Sequence, residues 1–137
     1  MKIKLDPGAY LPTRAHPTDA GLDIRAMEAV EIAPRGMVNV HTGVHVQLPE
    51  GMGGLLVSKS GLMAINGITS TGLIDEGYTG EIVVTLINHN DYPYWVSQKE
   101  KISQLVVFPV IYEPVELVEE IIGGGRGDGG FGSTGRV

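Results

Sequence analysis

The last fifteen residues of the chain combine many glycines with a few side chains suited to binding a flat, anionic ligand. Residues 123–137 hold eight of the chain's twenty glycines, with Arg126, Phe131, Ser133 and Thr134 among them. Glycine loses more backbone entropy on ordering than any other residue, so the segment predicts a flexible arm. A guanidinium matches the geometry of phosphate, and an aromatic ring offers a stacking surface for a base. We therefore expect an arm that closes over a ligand carrying a flat ring and anionic oxygens.

A carboxylate in the middle of the chain is a candidate general base. Residues 72–80 (Gly-Leu-Ile-Asp-Glu-Gly-Tyr-Thr-Gly) are typical of a hairpin tip, which could present backbone N–H and C=O groups to a small planar ligand. Asp75 follows Ile74 in this segment, and a carboxylate partly shielded from water by apolar side chains is a better base. The alternative is that Asp75 only stabilises the turn. Considered without the other motifs, Asp75 would favour that alternative.

Three other positions have both a functional and a structural interpretation. Asp23 lies in a turn-like segment (Asp-Ala-Gly-Leu-Asp, residues 19–23), where an acid either caps the turn or serves a site. Ser60 lies where a predicted strand ends and a short helix opens, so exposed N–H groups there could bind an anion. Simple N-capping by Ser60 is the alternative. Gln104 interrupts an apolar strand and either faces solvent or reaches a ligand.

Composition excludes several classes of protein. The net charge of −6 argues against a nucleic-acid partner, which would require a basic surface. No cysteine is present, which excludes disulfides and thiol chemistry and is compatible with a cytoplasmic location. No apolar run is long enough to span a membrane and no signal peptide is indicated, so no membrane partner is expected.

Recurrent short β-rich runs separated by turn residues predict an all-β fold, a jelly roll or distorted barrel with one short helix around residues 61–65. A length of 137 residues suits one domain, which we assign to residues 1–122, with the glycine-rich arm at residues 123–137. The predicted strands are Lys2–Leu5, 22–26, 29–33, 37–40, 44–48, 55–58, Glu81–Asn88, 94–97, 102–108 and 115–119.

Two histidines have the spacing of a helical metal pair but lie in a predicted strand. Residues four apart on an extended chain are separated by roughly 13 Å, too far to share one ion. We therefore expect His41 and His45 to face solvent.

Five segments, in order, resemble the five motifs of the trimeric dUTPase family, and the match runs from residue 19 to residue 135. The third and fifth are the most specific. The five segments are residues 20–24 (Ala-Gly-Leu-Asp-Ile), 58–62 (Ser-Lys-Ser-Gly-Leu), 72–80, 101–105 (Lys-Ile-Ser-Gln-Leu) and 126–135 (Arg-Gly-Asp-Gly-Gly-Phe-Gly-Ser-Thr-Gly).

The resemblance implies a β jelly roll that assembles as a homotrimer with shared active sites. It implies hydrolysis of dUTP to dUMP and diphosphate with Mg²⁺, where Asp75 activates the attacking water and Asp23 acts on the metal through water. The residues implied to bind substrate are Leu73, Ile74 and Val83 (uracil), Tyr78 (deoxyribose), Lys59, Ser60, Gly61 and Gln104 (phosphates), Thr69 (near the uracil), Phe131 (stacking on uracil), and Arg126, Ser133 and Thr134 (γ-phosphate).

The chain departs from the family pattern at several positions. Lys59 replaces the usual Arg, which removes bidentate phosphate geometry, and Thr69 replaces a common Asn. Gly77 replaces a frequent Asp, which we expect to loosen the hairpin, and Lys99 and Lys101 replace the usual Gly and Arg.

Two other functions are weighed against the dUTPase. A dCTP deaminase shares the fold, but it would require a Ser/Arg-rich second motif and a catalytic glutamate on the central hairpin. Glu76 is not in an obvious position for that role. A nucleotide-gated binding protein would use the arm to signal to another protein.

Overall fold

The computed structural model describes residues 1–125, 127, 129 and 130. Its elements are β1 (Lys2–Leu5), β2 (Gly21–Arg25), β3 (Val30–Ile32), β4 (Met37–Gln47), β5 (Met52–Ser58), α1 (Ser60–Asn66), β6 (Ile68–Ile74), β7 (Glu81–Asn88), β8 (Tyr94–Val96) and β9 (Lys101–Pro109). The all-β expectation with one short helix is confirmed.

Seven strands form one antiparallel sheet in the order β1-β4-β7-β6-β5-β9-β2, and β3 and β8 form a separate pair. The sheet curls into a half-barrel. Its concave face is apolar because alternate residues of each strand point inward, as in β7, where Ile82, Val84 and Leu86 are fully buried. The opposite face of the same strands is half-exposed and carries polar side chains, including Thr85.

The predicted strands differ from the structure in three places. β6 was not predicted as a strand, because Thr, Ser and Gly dilute its apolar pattern, yet it pairs with both β5 and β7. The two strands predicted at 37–40 and 44–48 are one strand, β4, interrupted by a bulge between His41 and His45. The strand predicted at residues 115–119 is wrong, since no strand is formed there.

Residues 110–122 follow β9 and leave many apolar side chains uncovered. Val115 and Leu117 are almost fully exposed, and Ile121 and Ile122 nearly so. Burying a side chain of this kind stabilises a protein by about 1.5–3 kcal/mol, so an uncovered row of them is unfavourable in an isolated chain. Among the described helices, none has the length and apolar character needed to cross a bilayer.

Candidate active site

The hairpin between β6 and β7 forms one side of a surface cavity of about 380 Å³. Five residues of the third motif region and the following strand line it together: Leu73, Ile74, Asp75, Tyr78 and Val83. The rest of the lining is formed by Leu56, Thr71, Gly72, Glu81 and Thr85. The sequence-predicted base and the residues implied to contact uracil and sugar therefore meet in one place.

Two glycines shape the turn that carries Asp75 and Tyr78. The turn is closed by the Tyr78 N–H, which donates to the Asp75 carbonyl at 3.1 Å. Gly77 has a φ of 85°, a left-handed conformation that glycine adopts without steric cost, so glycine fits this turn better than the aspartate common in the family. A Cβ on Gly80 would lie 2.5 Å from the Tyr78 hydroxyl, so only glycine lets the ring lie against the strand.

Asp75 and Tyr78 differ in how they are held. The Tyr78 hydroxyl donates to the Glu81 carbonyl at 2.9 Å, which fixes the ring at the cavity wall. The Asp75 side chain is exposed, and its carboxylate accepts no hydrogen bond from the part of the chain that the structure describes. Both carboxylate oxygens are therefore available to a water molecule or a ligand.

A second cluster joins the first, second and fourth motifs around Asp23. This aspartate, on β2, is only 3% exposed. Lys59 Nζ lies 2.8 Å from Asp23 Oδ1, and Lys101 Nζ lies 2.6 Å from Oδ2. Gln104 Nε2 donates to Oδ1 at 3.3 Å. Burial alone would raise the pKa of Asp23, but the hydrogen bonds from Lys101 and Lys59 outweigh it and hold that pKa below its usual value.

The start of α1 places Ser60 and Gly61 beside this cluster. The N-cap residue is Lys59, with extended backbone and no side-chain cap, so the alternative that Ser60 caps the helix is wrong. Ser60 and Gly61 are exposed in the first turn, where backbone N–H groups lack helical partners and favour an anion.

A buried serine network fixes the strands from which this cluster projects. Ser70 Oγ donates to Ser103 Oγ at 3.0 Å, and Ser103 Oγ donates to the Val57 carbonyl at 3.0 Å. Ser58 Oγ donates to the Ser70 carbonyl at 2.9 Å. This network was not predicted from the sequence, although Ser103 inside the apolar run 102–108 was a signal for it.

The structure does not bring every predicted site residue into these two groups. Thr69 lies on the same face of β6 as Thr71, two residues before it, and does not line the cavity. Its hydroxyl is 2.8 Å from His89 Nε2. Arg126, Phe131, Ser133 and Thr134 lie outside the described residues. Lys101, which was not predicted as a site residue, contacts Asp23 directly.

Asp75 is separated from Gln104 of the Asp23 cluster on one chain. Gln104 pairs with Val57, which pairs with Thr71, so Gln104 is two strands from Thr71, about 10 Å across the sheet. Asp75 lies four residues further along, about 13 Å. On one chain, two strands and four residues therefore separate Asp75 from Gln104.

Comparison with known proteins decides the family. The dUTPase family model matches residues 8–135. The chain belongs to the dUTPase family. A deoxyuridine 5'-triphosphate nucleotidohydrolase of Alkaliphilus metalliredigens is 42% identical over 98% of this chain and 96% of its own length.

Solved dUTPase structures have the same fold. The dUTPase of Staphylococcus bacteriophage 80alpha, determined with dUpNHpp, superposes with a TM-score of 0.92 at 32% identity, covering 98% of this chain and 97% of that one. A single-site mutant of the dUTPase from phage phi11 of S. aureus, at 30% identity and a TM-score of 0.81 over 87% of this chain and 96% of that chain, coordinates a structural Mg(II) ion. Members of this family typically use Mg²⁺.

The described residues build no metal cage of their own. No group of three or more His, Asp or Glu side chains suited to a metal is found in the described part of the chain. Both oxygens of Asp23 are engaged by lysines. Mg²⁺ often binds through substrate phosphates and keeps several waters, so the residues present fit an ion carried by the phosphate chain.

Proposed function

We propose that this chain hydrolyses dUTP to dUMP and diphosphate, which limits uracil in DNA and supplies dUMP. The observation that carries the proposal is the cavity in which Asp75, Tyr78 and Val83 meet, in a chain of the dUTPase family. A dUTP diphosphatase requires three groups close together: a general base, a side chain that packs against the sugar, and backbone groups that hydrogen-bond the uracil edge.

Asp75 acts as the general base. It takes a proton from a water whose oxygen forms a bond to the α-phosphorus, while the bond from that phosphorus to the bridging oxygen breaks and diphosphate leaves. The Asp75 carboxylate is exposed and accepts no hydrogen bond from the described residues. This supports the role, because a base must reach the proton that it removes. In-line attack of this kind depends mainly on positioning and on neutralised charge.

Uracil and deoxyribose bind against the hairpin. Backbone groups of Leu73, Ile74 and Val83 hydrogen-bond the uracil edge, and the Tyr78 ring packs on the sugar and leaves no room for a 2′-hydroxyl. The contact of Tyr78 with Gly80 and the Glu81 carbonyl supports this, since a fixed ring discriminates better than a mobile one. Thr69, just beyond the cavity, would act at its far edge.

The phosphates bind at the Asp23 cluster. Lys59, Ser60 and Gly61 contact phosphate oxygens, and Gln104 lies near the α-phosphate. Asp23 would hold Mg²⁺ through a water molecule, and the ion would neutralise charge on the phosphate chain. Asp23 also orients the Lys59 ammonium. Because the chain has a net charge of −6, the negative charge of the phosphates has to be neutralised by nearby cations, and the position of Lys59 supports this.

The active site is shared between subunits of a homotrimer. Two observations support this assembly: the separation of Asp75 from Gln104 on one chain, and the uncovered apolar side chains of residues 110–122. The glycine-rich arm closes last, with Phe131 over the uracil and Arg126, Ser133 and Thr134 on the γ-phosphate. Ordering its roughly ten residues costs on the order of 10 kcal/mol of backbone entropy, so it closes only on bound nucleotide.

The first experiment measures diphosphate release from dUTP, dCTP, dTTP and UTP, with Mg²⁺ and with EDTA. Release from dUTP alone that is lost in EDTA is the expected result. Ammonia release from dCTP would favour the deaminase alternative. Binding of dUTP without any release would favour the nucleotide-gated binding protein.

A second experiment tests the shared site. Inactive Asp75→Asn and Gln104→Ala subunits are unfolded, mixed in equal amounts and refolded together. If each site takes Asp75 from one subunit and Gln104 from another, about a quarter of the sites recover both groups. Each variant refolded alone is the control, and a mixture no more active than the controls would contradict the shared site.

A further inference from the structure

His45 lies in a recess between β1, β4 and the hairpin that carries Asp75. Its Nε2 is 3.0 Å from Asp6 Oδ2, and its Nδ1 is 3.0 Å from the Thr79 carbonyl oxygen. Only 20% of the His45 side chain is exposed, against 67% for His41. The expectation that both histidines face solvent is therefore wrong for His45.

Both ring nitrogens of His45 face hydrogen-bond acceptors. A neutral imidazole carries one N–H and can satisfy one of them, whereas the imidazolium donates to both. The hydrogen bond to Asp6, then that to the Thr79 carbonyl, raises the pKa of His45 above its usual value against the opposing effects of burial and of Lys4. The geometry therefore favours the charged ring.

The charged groups around His45 are few. Lys4 lies opposite it on β1, with Nζ 3.5 Å from Asp6 Oδ1, and Lys2 lines the same recess. Glu81 lies opposite on β7, but its carboxylate accepts from the Thr42 and Gly43 N–H groups and contacts His41. Asp6 is thus the carboxylate in contact with the His45 ring.

Thr79 belongs to the hairpin of residues 75–80, so this contact reaches the catalytic turn. A second contact holds the turn from its other side, where Gly51 N–H and the Tyr112 hydroxyl donate to the Glu76 carboxylate at 2.9 and 2.6 Å. Of these two anchors, His45 has the side chain whose ordinary pKa, 6.5, lies near neutrality. Loss of its proton would leave one N–H for two acceptors, so the ring could no longer hold Asp6 and the Thr79 carbonyl at the same time.

We infer that His45, in its imidazolium form, is a positioning residue that holds the hairpin of residues 75–80 and thereby Asp75 and Tyr78; this rests on the proposed function. A raised folded-state pKa means that both contacts are made below the ordinary pKa of 6.5 and that one of them is lost as the pH rises through the raised value. The active site is therefore better ordered on the acidic side of that value.

The kinetic test compares the full chain with His45→Gln across a pH range of about 5.5 to 9. The variant cannot become an imidazolium, so its kcat for dUTP falls by about tenfold at the acidic end and approaches that of the parent at the basic end. His16→Gln, at an exposed histidine in an N-terminal loop, is the control and leaves kcat unchanged throughout. A ratio of parent to variant that does not change with pH would indicate packing alone and overturn the proposal.

A second readout does not depend on turnover. In NMR titrations without nucleotide, the Thr79 and Gly80 amide signals move with the midpoint of the His45 ring in the parent chain. They lose that transition in His45→Gln. Asp6→Asn, which keeps the ring, lowers the midpoint, so the test holds even if His45→Gln does not fold. A ring midpoint at or below 6.5, or hairpin amides that ignore it, would overturn the inference. Absence of dUTP turnover in the parent would instead refute the proposed function and leave this readout intact.

Discussion

Asp23 and Asp75 show how surroundings give two aspartates different tasks. Asp23 is buried, and both of its oxygens are engaged by lysines that lower its pKa, so it stays ionised and holds cations in place. Asp75 is exposed beside a cavity and has no partner among the described residues, so it can meet a water molecule. Separate environments suit one group that organises charge and one that moves a proton.

Asp75→Asn should abolish turnover and leave nucleotide binding largely intact. The amide is the same size but cannot accept the proton of the attacking water, so kcat for dUTP should fall by about 10²- to 10⁴-fold. Steady-state kinetics and calorimetric titration with a non-hydrolysable analogue measure the two effects. Asp91→Asn, at an exposed carboxylate paired with Arg35, is the matched control. Near-normal kcat in Asp75→Asn would rule out the general base.

Tyr78→Ala should weaken the discrimination between dUTP and UTP. Removing the ring opens the space that a 2′-hydroxyl requires, so the kcat/KM of UTP relative to dUTP should rise by about tenfold. Tyr78→Phe keeps the ring and loses only the hydrogen bond to the Glu81 carbonyl, so it should retain most of the discrimination. An unchanged ratio in the alanine variant would remove Tyr78 from sugar recognition.

The bulge in β4 links the edge of the sheet to the candidate site. Glu81, the first residue of β7, accepts hydrogen bonds from the Thr42 and Gly43 N–H groups at 3.0 and 2.8 Å, and these amides have left the strand ladder. The same bulge separates His41 from His45, so that one contacts Glu81 and the other reaches the hairpin. One carboxylate therefore sets the direction of two side chains.

Glu81→Ala should destabilise the domain by about 1–3 kcal/mol, because it leaves two partly buried amides without an acceptor. Urea unfolding at fixed protein concentration measures the change. Glu31→Ala, at an exposed glutamate of β3, should stay within about 0.5 kcal/mol of the parent. Equal stability of the two variants would show that the bulge does not need its side-chain acceptor.

Elements with a strong local pattern were predictable, and those that depend on partners were not. The β-rich composition of Glu81–Asn88 was enough to predict β7, and the segment 72–80 was enough to place Asp75 in a turn. β6 was not predicted, because it forms a strand through its pairing with β5 and β7 on either side and not through a local sequence pattern. The Asp23–Lys101 contact joins residues on different strands, so it depends on the β2–β9 register that no local pattern contains. The strand expected at 115–119 has the right composition but no neighbour in one chain.

The whole molecule combines a half-barrel with a C-terminal extension that its own core does not cover. Tyr112 contacts the domain through its hydroxyl, which donates to Glu76 in the hairpin that carries Asp75. Beyond it, the apolar side chains of residues 115–122 face outward. The proposed trimer would cover them and bring Asp75 of one subunit to Gln104 of another.

Truncation after Gly124 should separate folding from catalysis. The cut removes Arg126, Phe131, Ser133 and Thr134 but none of the core, so kcat/KM should fall by about 10²-fold or more while the urea midpoint stays unchanged. Truncation after Gly135 keeps the fifth motif and serves as the control. Full activity in the shorter chain would contradict the arm as a closing lid.

The uncovered extension also carries its own protection against misassembly. A chain leaving the ribosome exposes Val115, Leu117 and Val118 before any partner is present, and short β-branched apolar runs of this kind form cross-β aggregates. Pro114 cannot donate to a growing ladder, and Glu113, Glu116, Glu119 and Glu120 place like charges that would stack directly on one another in an in-register fibril. In the proposed trimer, these residues would act as gatekeepers that leave the extension free to bind a folded subunit while opposing its self-association.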